Sequence, residues 1–320
     1  MTEILERAKR VAVRGLHVKI DETALGRFTG NWLAEGWEPP PWEAVYHFQG
    51  GEEETLFYLL ILDSLNFCFW PPPGEEKWAV SHESGWLSGY YALALSLKRA
   101  VESGIPLTDP GYLKALSSAQ LGEILRGRGE LQLMEPRLQI LHELGEIIES
   151  RYDGSVSKLL AAAGRSAQGL VRLLAETFLS FRDVAEFEGF KVPFYKRAQI
   201  LAADLHGTFG GEGWGGFRDM ENLTAFADYK LPQVLRHLGI FRYSESLARK
   251  VDQMIHLEAG GVEEVELRAN TIWAVELIRR ELARRGMDLR AFEIDWVLWD
   301  MGQEEAFKEK PYHRTVTIYY

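Results

Sequence analysis

Cysteine is nearly absent from the sequence, because Cys68 is the only one among 320 residues. A disulfide within the chain and a cysteine-based zinc site are therefore both excluded. Long apolar runs are missing as well, since the longest, 56–62, is far too short to span a bilayer. The segment 1–14 is charged throughout, unlike a secretion signal, so a reducing cytoplasm is the expected location.

Positive charge is also scarce. The chain has 36 Lys and Arg residues against 47 Asp and Glu residues, which gives a formal net charge of -11. Proteins that bind nucleic acids or anionic membranes usually present a basic face. We therefore expect no membrane and no stable nucleic-acid partner, whereas a small basic pocket for one phosphate is compatible with this charge. The number of subunits is left open.

Motifs of several common enzyme classes are missing. There is no P-loop, and the glycine-rich run 210–216 lacks the Gly-x-Gly-x-x-Gly spacing of dinucleotide sites. His142-Glu143 lacks the second histidine of a zincin, and Ser166 lacks the following glycine of a nucleophile elbow. The eight histidines show no ligand spacing. The sequence thus predicts neither a metal site nor a bound cofactor.

Helical periodicity dominates what is present. Apolar residues recur at helical spacing in most segments. Thr2 is a possible cap of the first helix, and Ser117 with Gln120 forms a possible capping box. The apolar segment 56–69 is compatible with a buried helix or strand, and 315–320 alternates like a short terminal strand. The predicted helices are 2–13, 86–102, 118–125, 135–150, 155–163, 167–178, 192–205, 244–257, 262–285 and 291–301.

These patterns predict a mainly α protein with a few short β-strands. We expect two helical lobes around a central pocket, 1–150 and 151–320, although a single domain is also compatible. The glycine-rich segment 206–216 is a candidate lid. Ten Trp, twelve Tyr and sixteen Phe residues either pack the core or stack on a flat ligand.

Several strings of residues, in order from about residue 45 to the C-terminus, are shared with one known family. They are Asp63-Ser-Leu-Asn-Phe-Cys-Phe-Trp70, Phe194-Tyr-Lys-Arg-Ala-Gln-Ile-Leu201, Leu223-Thr-Ala-Phe-Ala-Asp-Tyr-Lys-Leu-Pro-Gln-Val-Leu235, Val265-Glu-Leu-Arg268, Leu298-Trp-Asp300, His313-Arg314 and Tyr319-Tyr320. By these strings the sequence resembles the queuosine salvage family, enzymes that hydrolyse queuosine 5'-phosphate to release the base queuine. The resemblance implies a helical fold similar to helix-hairpin-helix base-excision glycosylases. A helix-Leu238-Gly239-Ile240-helix segment is compatible with that fold.

Asp228 lies between Ala227 and Tyr229 in an otherwise apolar stretch. Cleavage of an N-glycosidic bond passes through an oxocarbenium-like sugar, and a carboxylate can stabilise this cation and activate water. The residues alone are equally compatible with an aspartate that caps the helix containing Pro232. The resemblance implies that Asp228 is the catalytic carboxylate.

The base of queuosine is a deazapurine with a secondary amine that is positive at neutral pH. It is a poor leaving group, so contacts from the protein must help to carry its developing charge. From the residues alone, Asp295 and Asp300 could lie on a solvated helix surface, and the phenylalanines could simply pack. The resemblance assigns to the base His47, Asp295, Trp296 and Asp300. By residue type, Phe226 is a candidate to stack on the base, and Asn66 and Phe67 are candidates to line its pocket.

A 5'-phosphate needs cationic donors, for which Arg offers a fork and Lys a point charge. Lys196 is the favoured phosphate donor because the string around it places it on an aromatic-rich face, and it is also grouped with Asp228 as catalytic. A Schiff base at Lys196 is not needed for simple hydrolysis. The candidates for phosphate and ribose are Arg197, Tyr229, Tyr243, Arg268, His313 and Arg314, each of which could instead be solvated or pack.

Three functions are open at this point. The first is a hydrolase that converts queuosine 5'-phosphate into queuine and ribose 5-phosphate. The second is a DNA-base glycosylase of related fold, which the charge of -11 disfavours because duplex binding requires a basic groove. The third is a non-enzymatic queuine-binding protein, in which Asp228 only holds the amine of the ligand.

Overall fold

The computed structural model describes residues 2–72, 74–83 and 85–320. Within these residues the protein is mainly helical, which confirms the predicted fold class. The helices are α1 (Glu3–Arg14), α2 (Glu22–Glu35), α3 (Glu52–Ser64), α4 (Tyr90–Glu102), α5 (Pro110–Ala115), α6 (Ser118–Ile124), α7 (Met134–Tyr152), α8 (Val156–Ala162), α9 (Ala167–Thr177), α10 (Lys196–Thr208), α11 (Lys230–His237), α12 (Glu245–Asp252), α13 (Val262–Arg284) and α14 (Ala291–Met301). The strands are β1 (Val18–Ile20), β2 (Ala79–His82), β3 (Gly85–Ser88), β4 (Val184–Phe187), β5 (Phe190–Pro193) and β6 (Phe241–Tyr243).

The strands form three antiparallel pairs, β1 with β6, β2 with β3 and β4 with β5, and no larger sheet in the described residues. In that same part of the chain, every helix is too short or too polar to cross a membrane. Nor do three His, Cys, Asp or Glu side chains of the described residues form a group that could hold a metal ion.

Two compact units make up the chain, and each is built from separate segments. The first contains the residues up to Pro41, Asp183–Gln199 and Asp219–Val316. The second contains Trp42–Arg182, Ile200–Arg218 and Thr317–Tyr320. This division differs from the predicted boundary near residue 150, which falls inside α7. Helix α7 cannot be a boundary because it packs against α5, α6 and α8 of its own unit.

Helix α13 is the centre of the first unit and lies between two apolar clusters. Leu267, Val275 and Ile278 join the cluster that includes side chains of α2, α11 and α14. Val265 and Ala269 join the other cluster, which includes side chains of α1 and β5. A helix that is apolar on several faces is buried by its neighbours. Polar side chains on α13 are therefore held in a rigid environment.

Glu266 of α13 shows how such a polar side chain organises the unit. Its carboxylate is 1% exposed and accepts the backbone N–H groups of Leu16, His17 and Val18 at 2.9, 2.6 and 3.0 Å. A Cβ atom at Gly15 would lie 2.6 Å from Glu266 Oε2, so the turn requires glycine there. The buried charge is thus satisfied by three donors and fixes the turn between α1 and β1.

Several helix boundaries follow their predicted caps. The Thr2 side chain caps α1, and Ser117 with Gln120 forms the predicted capping box of α6, with hydrogen bonds of 2.9 and 3.2 Å. These side chains satisfy backbone groups that the start of a helix leaves without partners. Helix α14 has the predicted bounds.

Two predicted helices begin later than expected. Residues 85–88 form β3, and α4 starts only after Gly89, whose φ of 67° lies outside the helical region. Residues up to Pro193 form β5, and α10 starts after Tyr195, whose φ of 48° is also left-handed. In both places a strand pair and a left-handed residue override the helical periodicity of the sequence.

The predicted terminal strand at 315–320 is wrong. The nearest pairing in the described residues is an isolated bridge between His256 and Arg314. Helix α12 ends at Asp252, earlier than predicted, and the chain then runs to this bridge. The segment 238–240 leads from α11 into β6, so a strand stands where a direct helix connection was predicted. The similarity to helix-hairpin-helix glycosylases stays a prediction.

In the second unit, α3 resolves the ambiguity of the apolar segment 56–69. Residues up to Ser64 are helical, and the following residues to Trp70 form a buried loop. The glycine-rich segment 206–216 contains the end of α10 and a short 3-10 turn at 213–215. Its role as a lid stays a prediction.

Candidate active site

The loop that precedes α11 holds Asp228. Its Oδ1 accepts the backbone N–H groups of Lys230 at 2.7 Å and Leu231 at 2.9 Å. Asp228 therefore caps α11, as one of the two sequence interpretations predicted. Among the described residues, none donates a hydrogen bond to Oδ2. The cap fixes the orientation of the carboxylate and leaves its second oxygen for another role.

The environment of Asp228 has opposing effects on its charge. The side chain is 8% exposed, and burial raises its pKa above the ordinary value of 3.8. The positive charge of Lys196 and the two backbone N–H donors lower it in part. The result is a carboxylate that is a stronger base than an aspartate in water but keeps partners for its charged form.

Asp295 of α14 is a second buried carboxyl group, 3% exposed, and its charge interacts with that of Asp228. Its Oδ1 accepts one backbone N–H, from Phe226, at 2.7 Å. Burial, followed by the negative charge of Asp228, raises the pKa of Asp295 well above its usual range. When two nearby carboxyl groups cannot both ionise, the one with fewer donors keeps the proton. Asp295 therefore keeps its proton to higher pH than Asp228 does.

Lys196 is the first residue of α10 and is 5% exposed. Its backbone N–H donates to Asp183 Oδ2 at 3.2 Å. Its charge acts on both carboxyl groups, because it lowers the pKa of Asp228 and of Asp295. The structure therefore brings three of the predicted site residues into one electrostatic group within the first unit.

Arg268 of α13 was a candidate for phosphate, and its guanidinium is 2% exposed. It forks onto Asp183 with distances of 2.9 and 2.6 Å, and its Nε–H donates to the carbonyl of Ala227 at 3.0 Å. This geometry differs from that of an exposed cation that awaits an anion. A phosphate role for Arg268 stays a prediction, and the contacts favour an internal one.

His313 and Arg314 follow a short connection after α14. His313 is 1% exposed, and burial together with the charge of Arg268 lowers its pKa to about 3. A neutral imidazole brings no positive charge to a phosphate at neutral pH. The carbonyl of Arg314 accepts the N–H of Leu257 at 2.8 Å, which anchors this segment.

The two predicted tyrosines of the first unit have different surroundings. The Tyr243 hydroxyl donates to the carbonyl of Pro232 at 3.3 Å, which favours the packing alternative for this residue. The ring of Tyr229 is half-buried and lies 4.8 Å from that of Tyr312. Their roles toward phosphate or ribose stay predictions.

The remaining predicted site residues on these helices are Trp296 and Asp300 of α14 and Arg197 of α10. Trp296 is half-buried and meets Phe292 edge-on, with ring centres 5.1 Å apart. Asp300 is exposed, and its side chain makes no hydrogen bond or ion pair with the described residues, as on a solvated helix surface. Arg197 is 2% exposed, next to Lys196. These contacts do not test the predicted binding roles.

In the second unit, His47 ends a chain of buried hydrogen bonds. Its Nδ1 donates to the carbonyl of Glu43 at 2.8 Å, and its Nε2 lies 2.9 Å from the Tyr90 hydroxyl. That hydroxyl is also 2.6 Å from Asp204 Oδ2. Trp42 covers the imidazole, with ring centres 4.3 Å apart. Burial lowers the pKa of His47 to about 4. The two hydrogen bonds and the Trp42 ring fix the orientation of the imidazole.

Asn66 and Phe67 lie in the buried loop after α3. The guanidinium of Arg137 is 4.1 Å from the centre of the Phe67 ring and donates to the carbonyls of Leu65 and Phe67. Arg137 therefore fixes the loop from α7. The base-binding roles of Asn66 and Phe67 stay predictions.

Three residues of these networks, the buried Asp183 and Asp204 and the half-buried Tyr90, are not predicted from the sequence. Each meets its partner across a long stretch of chain, for example Asp183 with Arg268 across 85 residues. No local spacing marks such contacts. Beside Lys196, the structure adds the buried charge of Asp183, whose carbonyl accepts the N–H of the left-handed Tyr195.

The first unit thus offers two buried carboxyl groups, of which Asp295 keeps its proton to higher pH, and a buried lysine. Such a set can stabilise a cation, accept a proton from water and donate a hydrogen bond to a leaving group. The arrangement suits the cleavage of a bond whose transition state is positively charged on one side and negatively charged on the other.

Comparison with known proteins agrees with this chemistry. The family model described as queuosine salvage protein matches residues 46–320. A protein of Sphaerobacter thermophilus named queuosine 5'-phosphate N-glycosylase/hydrolase is 46% identical over 317 residues, which cover 99% of this chain and 97% of that protein. Proteins of the same name from Mus musculus and Bos taurus are 38% and 35% identical, each over 98% of both chains. The chain therefore belongs to the queuosine salvage protein family.

Proposed function

We propose that this chain hydrolyses the N-glycosidic bond of queuosine 5'-phosphate and releases queuine and ribose 5-phosphate. The observation that carries the proposal is the pair of buried carboxyl groups, Asp228 and Asp295, beside the charge of Lys196. The relatives from Sphaerobacter thermophilus and Mus musculus are named for this activity.

Asp228 acts at the sugar. As the bond from C1' to the base nitrogen breaks, its electron pair stays with the base and positive charge develops on the sugar. Asp228, held by two backbone N–H donors, stabilises this charge through the oxygen that the cap leaves available. A water oxygen then forms the new bond to C1', and Asp228 accepts the proton that the water loses. The departed base nitrogen takes up one proton from solvent and Asp228 returns one to the solvent, so that queuine and ribose 5-phosphate are the products.

Asp295 and Lys196 act on the leaving group. A deazapurine lacks the ring nitrogen that purine glycosylases protonate, so its developing negative charge must be met in another way. A protonated Asp295 donates an O–H hydrogen bond, which strengthens as charge develops on the base. Lys196 supplies a positive charge that stabilises the departing base and keeps Asp228 ionised. No covalent bond to Lys196 is required.

The remaining predicted contacts divide into stronger and weaker proposals. For phosphate and ribose, Arg197, Arg314 and Tyr229 are the stronger candidates. Arg268 is weaker because its guanidinium already bonds to Asp183. His313 is weaker because its imidazole is neutral, and Tyr243 because its hydroxyl already donates to a carbonyl. The residues proposed to contact the base are His47, Asn66, Phe67, Phe226, Asp295, Trp296 and Asp300.

The test is direct conversion of the proposed substrate. The purified chain is incubated with queuosine 5'-phosphate, and the products are separated by chromatography. We expect equal amounts of queuine and ribose 5-phosphate over many turnovers, and a slower reaction with queuosine that lacks the phosphate. Substrate that stays intact at equimolar protein contradicts the proposal. Tight binding in calorimetry without turnover favours a binding protein, and base release from damaged duplex DNA favours a DNA glycosylase.

A further inference from the structure

A buried ion pair in the first unit contacts both halves of the proposed catalytic group. The guanidinium of Arg268 donates to the carboxylate of Asp183 through two bonds of 2.9 and 2.6 Å. Both residues are at most 3% exposed, and the guanidinium lies 4.0 Å from the centre of the Phe194 ring. Two parallel bonds fix the relative orientation of the partners as well as their distance.

The Asp183 end of this fork holds the start of α10. Its Oδ2 also accepts the backbone N–H of Lys196 at 3.2 Å, and its carbonyl accepts those of Phe194 and Tyr195 at 2.9 and 3.3 Å. Tyr195 has a φ of 48°, a conformation that costs free energy for any residue with a Cβ atom. Three hydrogen bonds to one residue keep this turn in place. Asp183 thereby sets the position from which the Lys196 side chain starts.

The Arg268 end holds the Asp228 loop. Its Nε–H donates to the carbonyl of Ala227 at 3.0 Å, and Ala227 directly precedes Asp228. The Arg268 guanidinium therefore bonds to Ala227, beside Asp228, and to the Asp183 carboxylate. That carboxylate also accepts the N–H of Lys196 at the start of α10. Since α13 is packed on several faces, both attachments share a rigid support.

We propose that Asp183 and Arg268 are a positioning pair that sets the separation between Lys196 and Asp228. Neither residue needs to touch the substrate, because each acts through the backbone beside a proposed catalytic group. The inference rests on the proposed function and adds to it a reason for the burial of Arg268. It also gives Asp183 a role that no motif in the sequence indicates.

Asp183→Asn is the sharpest change, because asparagine keeps the size of the side chain and an acceptor oxygen but loses the charge. Glu264 Oε1 lies 3.6 Å from Arg268 Nη1 and offers the guanidinium another carboxylate, which favours folding of the variant. We expect kcat to fall by about ten- to a hundredfold, as for a small misplacement of catalytic groups, with KM within about twofold. The acid limb of the pH profile should move to higher pH, because Lys196 then lowers the pKa of Asp228 less.

Arg236 and Asp252 provide a matched control. They form another fork in the first unit, with distances of 2.7 and 3.0 Å, between α11 and α12. We expect Asp252→Asn to keep the wild-type kcat and acid limb. A similar loss of kcat in both variants contradicts a positioning role that is specific to Asp183.

A second readout needs no substrate. The carbon-13 signal of the Asp228 carboxyl group, assigned by its absence in Asp228→Asn, is titrated in wild type, Asp183→Asn and Arg268→Lys. The proposal expects a higher pKa for Asp228 in both positioning variants, including Arg268→Lys, which keeps the charge but loses the fork. An unchanged titration in folded variants overturns it, as does a kcat that falls only with the folded fraction. If the wild type does not hydrolyse queuosine 5'-phosphate, the proposed function fails, while the titration still decides the positioning role.

Discussion

The loop of Asp228 and the helix of Asp295 place the same type of side chain in comparable burial, at 8% and 3% exposure. They differ in what donates to them. Asp228 accepts two backbone N–H groups, whereas Asp295 accepts one and is also exposed to the negative charge of Asp228. Burial is the main cause that raises the pKa of both, and the pKa of Asp295 lies well above its usual range. After burial, the main effect on Asp228 is the positive charge of Lys196, which favours ionisation, and the main effect on Asp295 is the negative charge of Asp228, which opposes it. These charges and one additional hydrogen bond divide the two aspartates into a base and an acid.

The largest effect is expected when the ionised member of the pair is neutralised. Asp228→Asn keeps an acceptor for the cap of α11 but can neither stabilise a sugar cation nor accept a proton from water. We expect kcat to fall by about a thousandfold or more, within the range for loss of a general base. Single-turnover rates measure this, with Asp252→Asn, at an aspartate outside the proposed site, as the control. Turnover of Asp228→Asn at the wild-type rate would show that Asp228 is not the base and that the two aspartates do not have the roles assigned to them.

Loss of the lysine charge should make the two carboxyl groups more alike. In Lys196→Met, the positive charge that favours ionisation of Asp228 is gone. We expect kcat to fall by about a hundredfold, comparable to the loss of one electrostatic contact at a transition state. The acid limb of the pH profile should also move to higher pH. Lys191→Met, at an exposed lysine of β5, is the control, and equal profiles in the two variants contradict the role of Lys196.

Asp204 in the second unit extends the comparison to a third buried aspartate. A carbonyl cannot donate, so His47 Nδ1 must carry the hydrogen that Glu43 accepts. The single hydroxyl hydrogen of Tyr90 can then serve either His47 or Asp204, although both lie within hydrogen-bond distance. Both contacts of Tyr90 can be hydrogen bonds at the same time only if His47, Tyr90 and Asp204 together hold one proton more than they carry in water at pH 7. Because burial lowers the pKa of His47 to about 4, the imidazole is neutral at pH 7, so that proton makes a neutral carboxyl at Asp204.

Tyr90→Phe tests this proton count. At pH 7, nitrogen-15 NMR of wild-type protein should show a neutral His47 ring, and infrared spectroscopy should show the signal of a protonated Asp204 carboxyl. The signal should be lost in Tyr90→Phe, and activity should fall by about five- to tenfold, the value of one hydrogen bond. Tyr58→Phe removes a comparable buried hydroxyl, which donates to the Ala94 carbonyl at 2.9 Å, and should keep the signal. A neutral His47 beside an ionised Asp204 contradicts the count.

The smallest effect on activity is expected for Asp295→Asn. Asparagine resembles a protonated aspartic acid, because it offers one acceptor oxygen and N–H donors. If Asp295 is already neutral, kcat should change by less than about fivefold, whereas Asp295→Ala should lose more because the donor is gone. A loss for Asp295→Asn as large as that for Asp228→Asn shows that Asp295 works as a carboxylate.

Asp295→Asn should also change how stability depends on pH. The raised pKa of Asp295 means that the folded state holds its proton more tightly than the unfolded state. The associated stabilisation is complete below the ordinary pKa of 3.8 and is lost as the pH rises through the folded pKa. The free energy of unfolding of wild type should therefore fall relative to Asp295→Asn as the pH rises. Urea denaturation at a series of pH values measures this difference, and a constant difference contradicts the assignment.

Local patterns predicted much of the fold and part of the site. Thr2, Ser117 and Gln120 signal their helix ends because capping needs only residues three apart. The same physics identified Asp228 as a possible cap, which it is. Periodicity failed at Tyr195, where a left-handed residue and a strand pair delay α10.

Contacts between distant parts of the chain could not be predicted. Whether Arg268 faces a phosphate or an internal carboxylate depends on where Asp183 lies, and no spacing in the sequence specifies that. The ionisation of Asp295 likewise depends on a loop 69 residues away, through the N–H of Phe226. Residue types therefore indicated which groups are able to act, whereas the folded chain decides which of them are charged.

The single-turnover rate of queuosine 5'-phosphate hydrolysis, measured against pH, tests the division between the two aspartates most directly. The ionised form of Asp228 is the base, and burial raises its pKa. The rate should therefore fall with acid along a limb that lies above 3.8, the ordinary value for aspartate, and that moves higher in Lys196→Met. A rate that is independent of pH, or a limb at or below 3.8 that Lys196→Met leaves in place, contradicts this account.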